Sequence, residues 1–239
     1  MREEEFHRHA ALEESHWWFL LRRGIIGDIL ATLLPPGSLI AEIGCGTGGN
    51  LRHLSRRYRV VGSDPSPVAV SLARSLGEET VIEGDFAETL SPWQGEIDGI
   101  LLADVIEHID DDRTFLRRVA SFIRPGGVLL VTVPACPWLF GDHDRAVGHY
   151  RRYRAKTLRR VVTEAGFEEI RLTHFFSPFL PLIALVRFMS RGGGSLAPPN
   201  PLVNTLCLAV GSIERRLLRR LSLPVGSSIA ILARKPEES

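Results

Sequence analysis

The stretch AEIGCGTGGN, Ala41 to Asn50, decides how this chain is read. It completes a short apolar run, SLIAEI, and leads into NLRHLSRR, whose apolar spacing is helical, so its glycines occupy a strand–loop–helix turn. Gly44, Gly46 and Gly49 fit the Gly-x-Gly-x-x-Gly pattern of a pyrophosphate-binding loop, whereas Glu42, Gly44, Gly46 and Gly48 fit Glu-x-Gly-x-Gly-x-Gly. Both patterns let backbone N–H groups approach a ligand closely. They differ in charge. A carboxylate at Glu42 repels a pyrophosphate and attracts an ammonium or sulfonium group, so the ligand implied is cationic and carries no phosphate.

Outward from this loop, short apolar runs alternate with segments of helical period. SLIAEI, YRVVGS, TVIEG, EIDGILLA and GGVLLVTVP read as strands, and NLRHLSRR, PVAVSLARSL and DRTFLRRVASFI as the helices between them. Such alternation predicts a parallel, doubly wound α/β sheet. After the fifth strand come a helix, AKTLRRVVTEAG, a strand, FEEIRLTHFF, an apolar insertion over about 176–225 and a last strand, SSIAILARK. The last two strands are expected to pair antiparallel at the sheet edge. Upstream, EEEFHRHAALEE and HWWFLLRRGIIGDILATLL read as helices stopped by Pro35 to Gly37. The expected organisation is an N-terminal helical cap over 1–37 and one α/β domain over 38–239.

At 239 residues the chain suits one sizeable domain with its own core. A formal net charge of +1 gives no general push toward nucleic acid. Cys45, Cys136 and Cys207 are far apart and form no Cys-x-x-Cys pair, which argues against a disulfide framework or zinc site and for a reducing cytoplasm. MREEEFHRHA lacks the apolar core of a signal peptide, and no apolar run reaches the roughly 20 residues that span a bilayer.

Two more carboxylates follow the pattern of Glu42. Asp64 ends the second strand in VVGSDPS, where a side chain can accept both hydroxyls of a ribose. Asp85 ends the third in EGDFAE, placed to accept from an adenine amino group while Phe86 packs on the base. With these residues in place, the chain resembles the class I S-adenosylmethionine-dependent methyltransferases over roughly Ser38 to Phe175 and the final strand. LIAEIGCGTGGNL resembles motif I, Asp64 the acid of motif II, and GDF at Gly84 to Phe86 the adenine-binding motif. DGILLADVIEHIDD and RPGGVLLVTVP resemble the fourth and fifth strands of the small-molecule, ubiquinone-biosynthesis-like subgroup.

The resemblance implies a Rossmann-like seven-stranded sheet in the order 3-2-1-4-5-7-6 with strand seven antiparallel. It implies S-adenosylmethionine as methyl donor and S-adenosylhomocysteine as product. Glu42, Gly44 and Gly46 would line the methionine end, Asp64 the ribose, Asp85 and Phe86 the adenine, and Ala103 and Asp104 the region of the reactive methyl. An N-terminal helix closes over the cofactor in related enzymes, so Trp17, Trp18 or Arg22 is expected to reach it.

Methyl transfer is an in-line displacement on a cation, so positioning and desolvation carry most of it, and a hydroxyl acceptor also needs a base. His108, beside Glu107 in EHIDDD, and His149 are the candidate bases. The alternative is that Glu107 charges the next helix start and His108 packs there. In FGDHDRAVGHYRRYR, residues 140–154, His143, Tyr150, Arg152 and Tyr153 are candidates for binding an anionic or aromatic acceptor, unless the segment is a basic surface loop. The spacing of His143, Asp144 and His149 fits no strong ligand motif, so no metal is expected.

The insertion contains FFSPFLPLIALVRFMSR, which Pro178 and Pro181 should break, then a linker at Arg191 to Pro201 and PLVNTLCLAVGSIERRLLRRLSLP. Between Phe175 and Val225 the sole acid is Glu214, against arginines at 187, 191, 215, 216, 219 and 220. This composition suits a lid, a homodimer face or the surface of an anionic membrane. The expected function is methylation, oxygen favoured, of a small-molecule or lipid-like acceptor in the cytoplasm, with peripheral membrane contact or a homodimer through the insertion. The rivals are an NAD(P)-dependent oxidoreductase and a cofactor-binding protein without catalysis.

Overall fold

The computed structural model describes residues 3–189, 198 and 200–237. Seven strands, β1 (Leu39–Ile43), β2 (Arg59–Asp64), β3 (Val81–Glu83), β4 (Ile97–Ala103), β5 (Ile123–Pro134), β6 (Glu168–Phe175) and β7 (Ser228–Arg234), form one sheet in the order β3-β2-β1-β4-β5-β7-β6. β1 to β5 pair in parallel, and β7 runs antiparallel to both β5 and β6. The expected order is present, with β7 antiparallel between β5 and β6, so that β6 forms one edge of the sheet and β3 the other.

The apolar runs become central strands because both faces of the sheet are covered. On one face Ile100, Leu102, Leu129 and Val131 pack with Leu116 and Val119 of α6 (Asp112–Ala120) and with Leu158 and Val162 of α8 (Ala155–Glu164). On the other, Ile40, Leu101, Leu130 and Leu232 pack with Leu21, Ile25, Ile26, Ile29 and Leu30 of α2 (Trp17–Leu30). α2, read from sequence as part of a cap, therefore also supplies a layer of the core. α1 (Glu3–Leu12) precedes it, and α3 (Gly49–Leu54), α4 (Pro67–Ser75) and α5 (Phe86–Thr89) follow β1, β2 and β3. Helix starts carry local signals: Ser66 accepts from Ala69 N ahead of Pro67, and Asp111 accepts from Thr114 N.

A short helix, α7 (Asp142–Val147), lies in the segment read as a loop after β5. The insertion forms two helices, α9 (Leu180–Met189) and α10 (Pro201–Leu218). Pro178 precedes α9 and Pro181 sits in its first turn, where no intrahelical N–H donor is needed, so neither breaks it. All but residues 198, 200 and 201 of the linker read at Arg191 to Pro201 fall outside the described residues, as does Arg191.

α10 docks on α2. Gly24 and Gly211 face Arg215 and Leu21, so a side chain at either position would collide with the opposite helix. Asp28 accepts from Arg215 at 2.7 and 3.0 Å and from Arg219 at 3.0 and 3.2 Å. Asn204 accepts from Trp17 N at 2.8 Å and donates to Ser15 O at 2.9 Å, clasping the corner between α1 and α2. No described helix is long and apolar enough to cross a membrane.

Candidate active site

The glycine loop sits at the carboxyl end of β1, the side on which open α/β sheets bind ligands. Gly44, Gly46 and Gly48 have φ of +70°, +55° and +80°, a backbone region open mainly to glycine. Gly49 does something else: it lies under the Glu13 carboxylate, leaving no room for a Cβ. Glu13 accepts from Thr47 Oγ1 at 2.8 Å and from Arg52, which holds the α1–α2 corner onto the loop.

Glu42 is buried. Its Oε1 accepts from Asn50 Nδ2 at 2.7 Å, while Oε2 has no partner. Burial pushes its pKa up to about 8, against the pull of Asn50 and Arg22. Asp64 is also buried, and it accepts from Gly46 N at 2.8 Å and Ser66 N at 2.9 Å, so one carboxylate shapes two turns. Asp85 is exposed, accepts from Ala87 N at 2.9 Å as the cap of α5, and pairs with Arg118 at 3.1 Å. Phe86 is wedged edge-on between Phe115 and Phe122, with the Arg118 guanidinium 5.1 Å from its ring centroid. Asp104, just past β4, has a φ of +58° and pairs with Arg22, whose guanidinium lies 4.3 Å from the centroid of a Trp18 ring.

These groups line one cavity of about 1120 Å³, which also holds His108, His143, His149 and Arg152. That volume exceeds what one drug-sized ligand fills. His149 Nδ1 lies 3.0 Å from Asp144 Oδ1, so with its proton on Nδ1 the ring offers Nε2 as an acceptor. Asp144 is fully buried and also accepts from Arg152 Nε at 2.8 Å, Arg187 at 2.7 Å and Gly141 N at 3.0 Å. Burial alone would raise its pKa, but the His149 hydrogen bond and the two guanidiniums hold its carboxyl well below the usual range.

His108 packs against His149 with ring centroids 4.6 Å apart, and its Nδ1 lies 3.2 Å from Gly148 O. Burial and the neighbouring His149 push its pKa down to about 4, so the ring is neutral at ordinary pH. Glu107 is fully buried in the cavity wall with neither carboxylate oxygen partnered, and burial and the Asp104 charge push its pKa well up. Glu107, His108 and His149 place one ligand atom each within 4.8 Å of one another, a three-donor group that sequence spacing did not indicate.

The candidate acceptor residues divide. Tyr150 and Tyr153 lie outside the cavity, which corrects their expected substrate role. Tyr150 is exposed, with Arg151 5.9 Å from its ring centroid. Tyr153 is buried, and its hydroxyl donates to Asp112 Oδ2 at 2.6 Å while its N–H bonds Pro134 O at 2.9 Å, so it fastens the chain after β5. Arg152 reaches the wall with its guanidinium donating to Asp144 and to Ala135 O at 3.1 Å. The apolar side of the chamber is formed by Trp138, Leu139 and Phe140 after β5, which sequence reasoning missed, and by Leu182, Ile183, Val186 and Phe188 of α9, in the insertion for which a lid was one of the open readings. Apolar insertions read alike whether they cover a pocket or a partner, so no local signal marked them.

A methyltransferase domain family matches residues 20–172, more than half of the chain. The ubiquinone biosynthesis O-methyltransferase of Azorhizobium caulinodans is 32% identical over 126 residues, 47% of this chain and 50% of that protein. The 2-methyl-6-phytyl-1,4-hydroquinone methyltransferase of Synechocystis sp. is 33% identical over 103 residues, 41% of this chain and 32% of that protein. The matched region is thus half or less of these curated relatives. Among solved structures, a SAM-dependent methyltransferase from Archaeoglobus fulgidus superposes with a TM-score of 0.60 at 18% identity, covering 89% of this chain and 94% of that one. Sheet order, glycine loop and family match agree: the chain belongs to the class I S-adenosylmethionine-dependent methyltransferases.

Proposed function

We propose that this protein transfers a methyl group from S-adenosylmethionine to an oxygen of a small, largely apolar acceptor, with His149 as the base. The observation that carries this reading is the Asp144–His149 pair at 3.0 Å, set in the wall of the same cavity as Glu42 and the glycine loop. The donor fits the residues present. Glu42 offers a buried, unpartnered oxygen to an ammonium group, Gly44 and Gly46 leave the backbone open to close approach, and Asp64 keeps lone pairs for a ribose. Asp85 and Phe86, assigned to the adenine, and Ala103 and Asp104, assigned to the region of the reactive methyl, line the same cavity.

When bound, S-adenosylmethionine supplies an electrophilic methyl on a sulfonium. The chain's own work is to orient and to take a proton. Asp144 fixes the His149 tautomer, and Nε2 removes the acceptor's hydroxyl proton as oxygen attacks. Neutral His108 packs the imidazole in place, and the α9 and Trp138 side chains exclude water. An apolar chamber and relatives named for ubiquinone biosynthesis and for a phytyl-hydroquinone favour a hydroxylated aromatic acceptor with an apolar substituent.

Incubation with labelled S-adenosylmethionine and a panel of such phenols tests the reading. His149→Ala and Asp144→Asn should each lower kcat by about 10²–10⁴ with cofactor affinity unchanged. Wild-type rates in both variants would overturn the base. Tight NAD(P) binding without S-adenosylmethionine binding would restore the oxidoreductase. Cofactor binding without transfer to any acceptor would favour a non-catalytic protein.

A further inference from the structure

α10 is apolar on two opposite faces, and among the described residues only one of them is covered. Cys207, Leu208, Gly211 and Leu218 turn toward α2 and the core. On the other side Leu202, Leu206, Ala209, Ile213 and Leu217 recur at the spacing of a single helical stripe, and Leu202 and Leu206 are 81% and 66% exposed. The stripe runs from Leu202 to Leu217, about 22 Å along the helix. A helix apolar all round is ordinarily buried, so the outer stripe calls for a partner.

Charge indicates which partner. Glu214 is buried, so the described residues of the insertion present no exposed acid. Arg187 is engaged by Asp144, and Arg215 and Arg219 by Asp28. That leaves Arg216, exposed at the margin of the stripe, and Arg220, one helical turn further on, with no ion-pair partner among the described residues. A second copy packed stripe against stripe would bring two more arginines and, from the described residues of its insertion, no exposed acid to meet them. An anionic lipid surface satisfies both the apolar stripe and the arginines.

The cavity is open toward apolar surface as well. Leu182, Val186 and Phe188 of α9 both line it and are exposed, and Trp138 stacks on Phe188 with centroids 6.1 Å apart.

We propose that the outer face of α10, with Arg216 and Arg220, is a docking surface for anionic membranes, on which the helix lies in the interface without crossing it. Flotation of the full chain with phosphatidylcholine vesicles, with and without phosphatidylglycerol, tests this. The protein should float with the anionic vesicles and stay behind with the neutral ones. Arg216→Glu with Arg220→Glu should weaken the anionic binding at least about 25-fold, about fivefold for each lost arginine. Leu206→Asp with Ile213→Asp should abolish flotation, and unchanged S-adenosylmethionine binding by calorimetry would show that this variant is folded.

No flotation of the intact chain at low salt overturns the proposal. So does a concentration-independent dimer in sedimentation that Leu206→Asp with Ile213→Asp converts to monomer, since the stripe would then be an interface between copies. Neither result touches methyl transfer, which is read separately by label incorporation in detergent solution.

Discussion

Glu214 accepts hydrogen bonds from the backbone of Phe176 at 2.9 Å and of Ser177 at 2.7 Å, so the one acid of the insertion is a clasp on the end of β6. Phe176 has a φ of +60°, a conformation unfavourable for a bulky residue without outside support. Glu214→Ala should therefore destabilise the fold by about 2–3 kcal/mol, because two backbone donors lose a charged acceptor. Glu214→Gln, which keeps one carbonyl acceptor, should fall between the two in urea denaturation; equal stability of all three proteins would dismiss the clasp.

Glu42 ties pH to both stability and ligand binding. Its folded pKa of about 8 lies above the ordinary 4.5, so between these values the folded chain holds a proton that the unfolded chain has lost. The resulting stability is complete below about pH 4.5 and is lost as pH rises through 8. A cationic ligand at Glu42 favours the carboxylate, so binding should release a proton and tighten as pH approaches 8. Calorimetry in buffers of different ionisation enthalpy should show that proton for the wild type and not for Glu42→Gln.

Asp64 holds Gly46 N and Ser66 N besides its proposed ribose role. Asp64→Ala should weaken S-adenosylmethionine binding by about 1–3 kcal/mol and lower the melting temperature of the ligand-free protein. Unchanged affinity beside a lowered melting temperature would reduce Asp64 to a loop brace.

Arg187 joins α9 to Asp144 at 2.7 Å and so ties the apolar wall to the proposed base. Arg187→Met should raise the acceptor KM roughly tenfold, the scale of one hydrogen bond to a charged group, with cofactor affinity unaltered. A matching loss in cofactor binding would place the defect in the fold as a whole.

The loop and its carboxylates were legible because they follow from local spacing: a strand ends, glycines turn the chain, and an acid sits at the end of each of the first three strands; the sheet order was implied by the family resemblance that these motifs carry. Asp144 and Glu107 were not. Asp144 matters because Arg187, from an insertion far along the chain, and Arg152 converge on it, and Glu107 because the fold closes over both its oxygens. Tyr150 and Tyr153 misled for the same reason. Their residue type fits acceptor binding equally well, and burial against Asp112 or exposure to solvent is decided by tertiary packing.

The placing of α2 on the sheet changes what counts as a separable part of this protein. Motifs would draw a boundary at Ser38, but Ile40, Leu101, Leu130 and Leu232 all find their cover in helix residues that precede it. A fragment begun there would retain every residue of the glycine loop and lose one wall of its hydrophobic interior. It should come out of cells as aggregate, and recover a soluble, cooperative fold when residues 1–37 are supplied as a separate peptide.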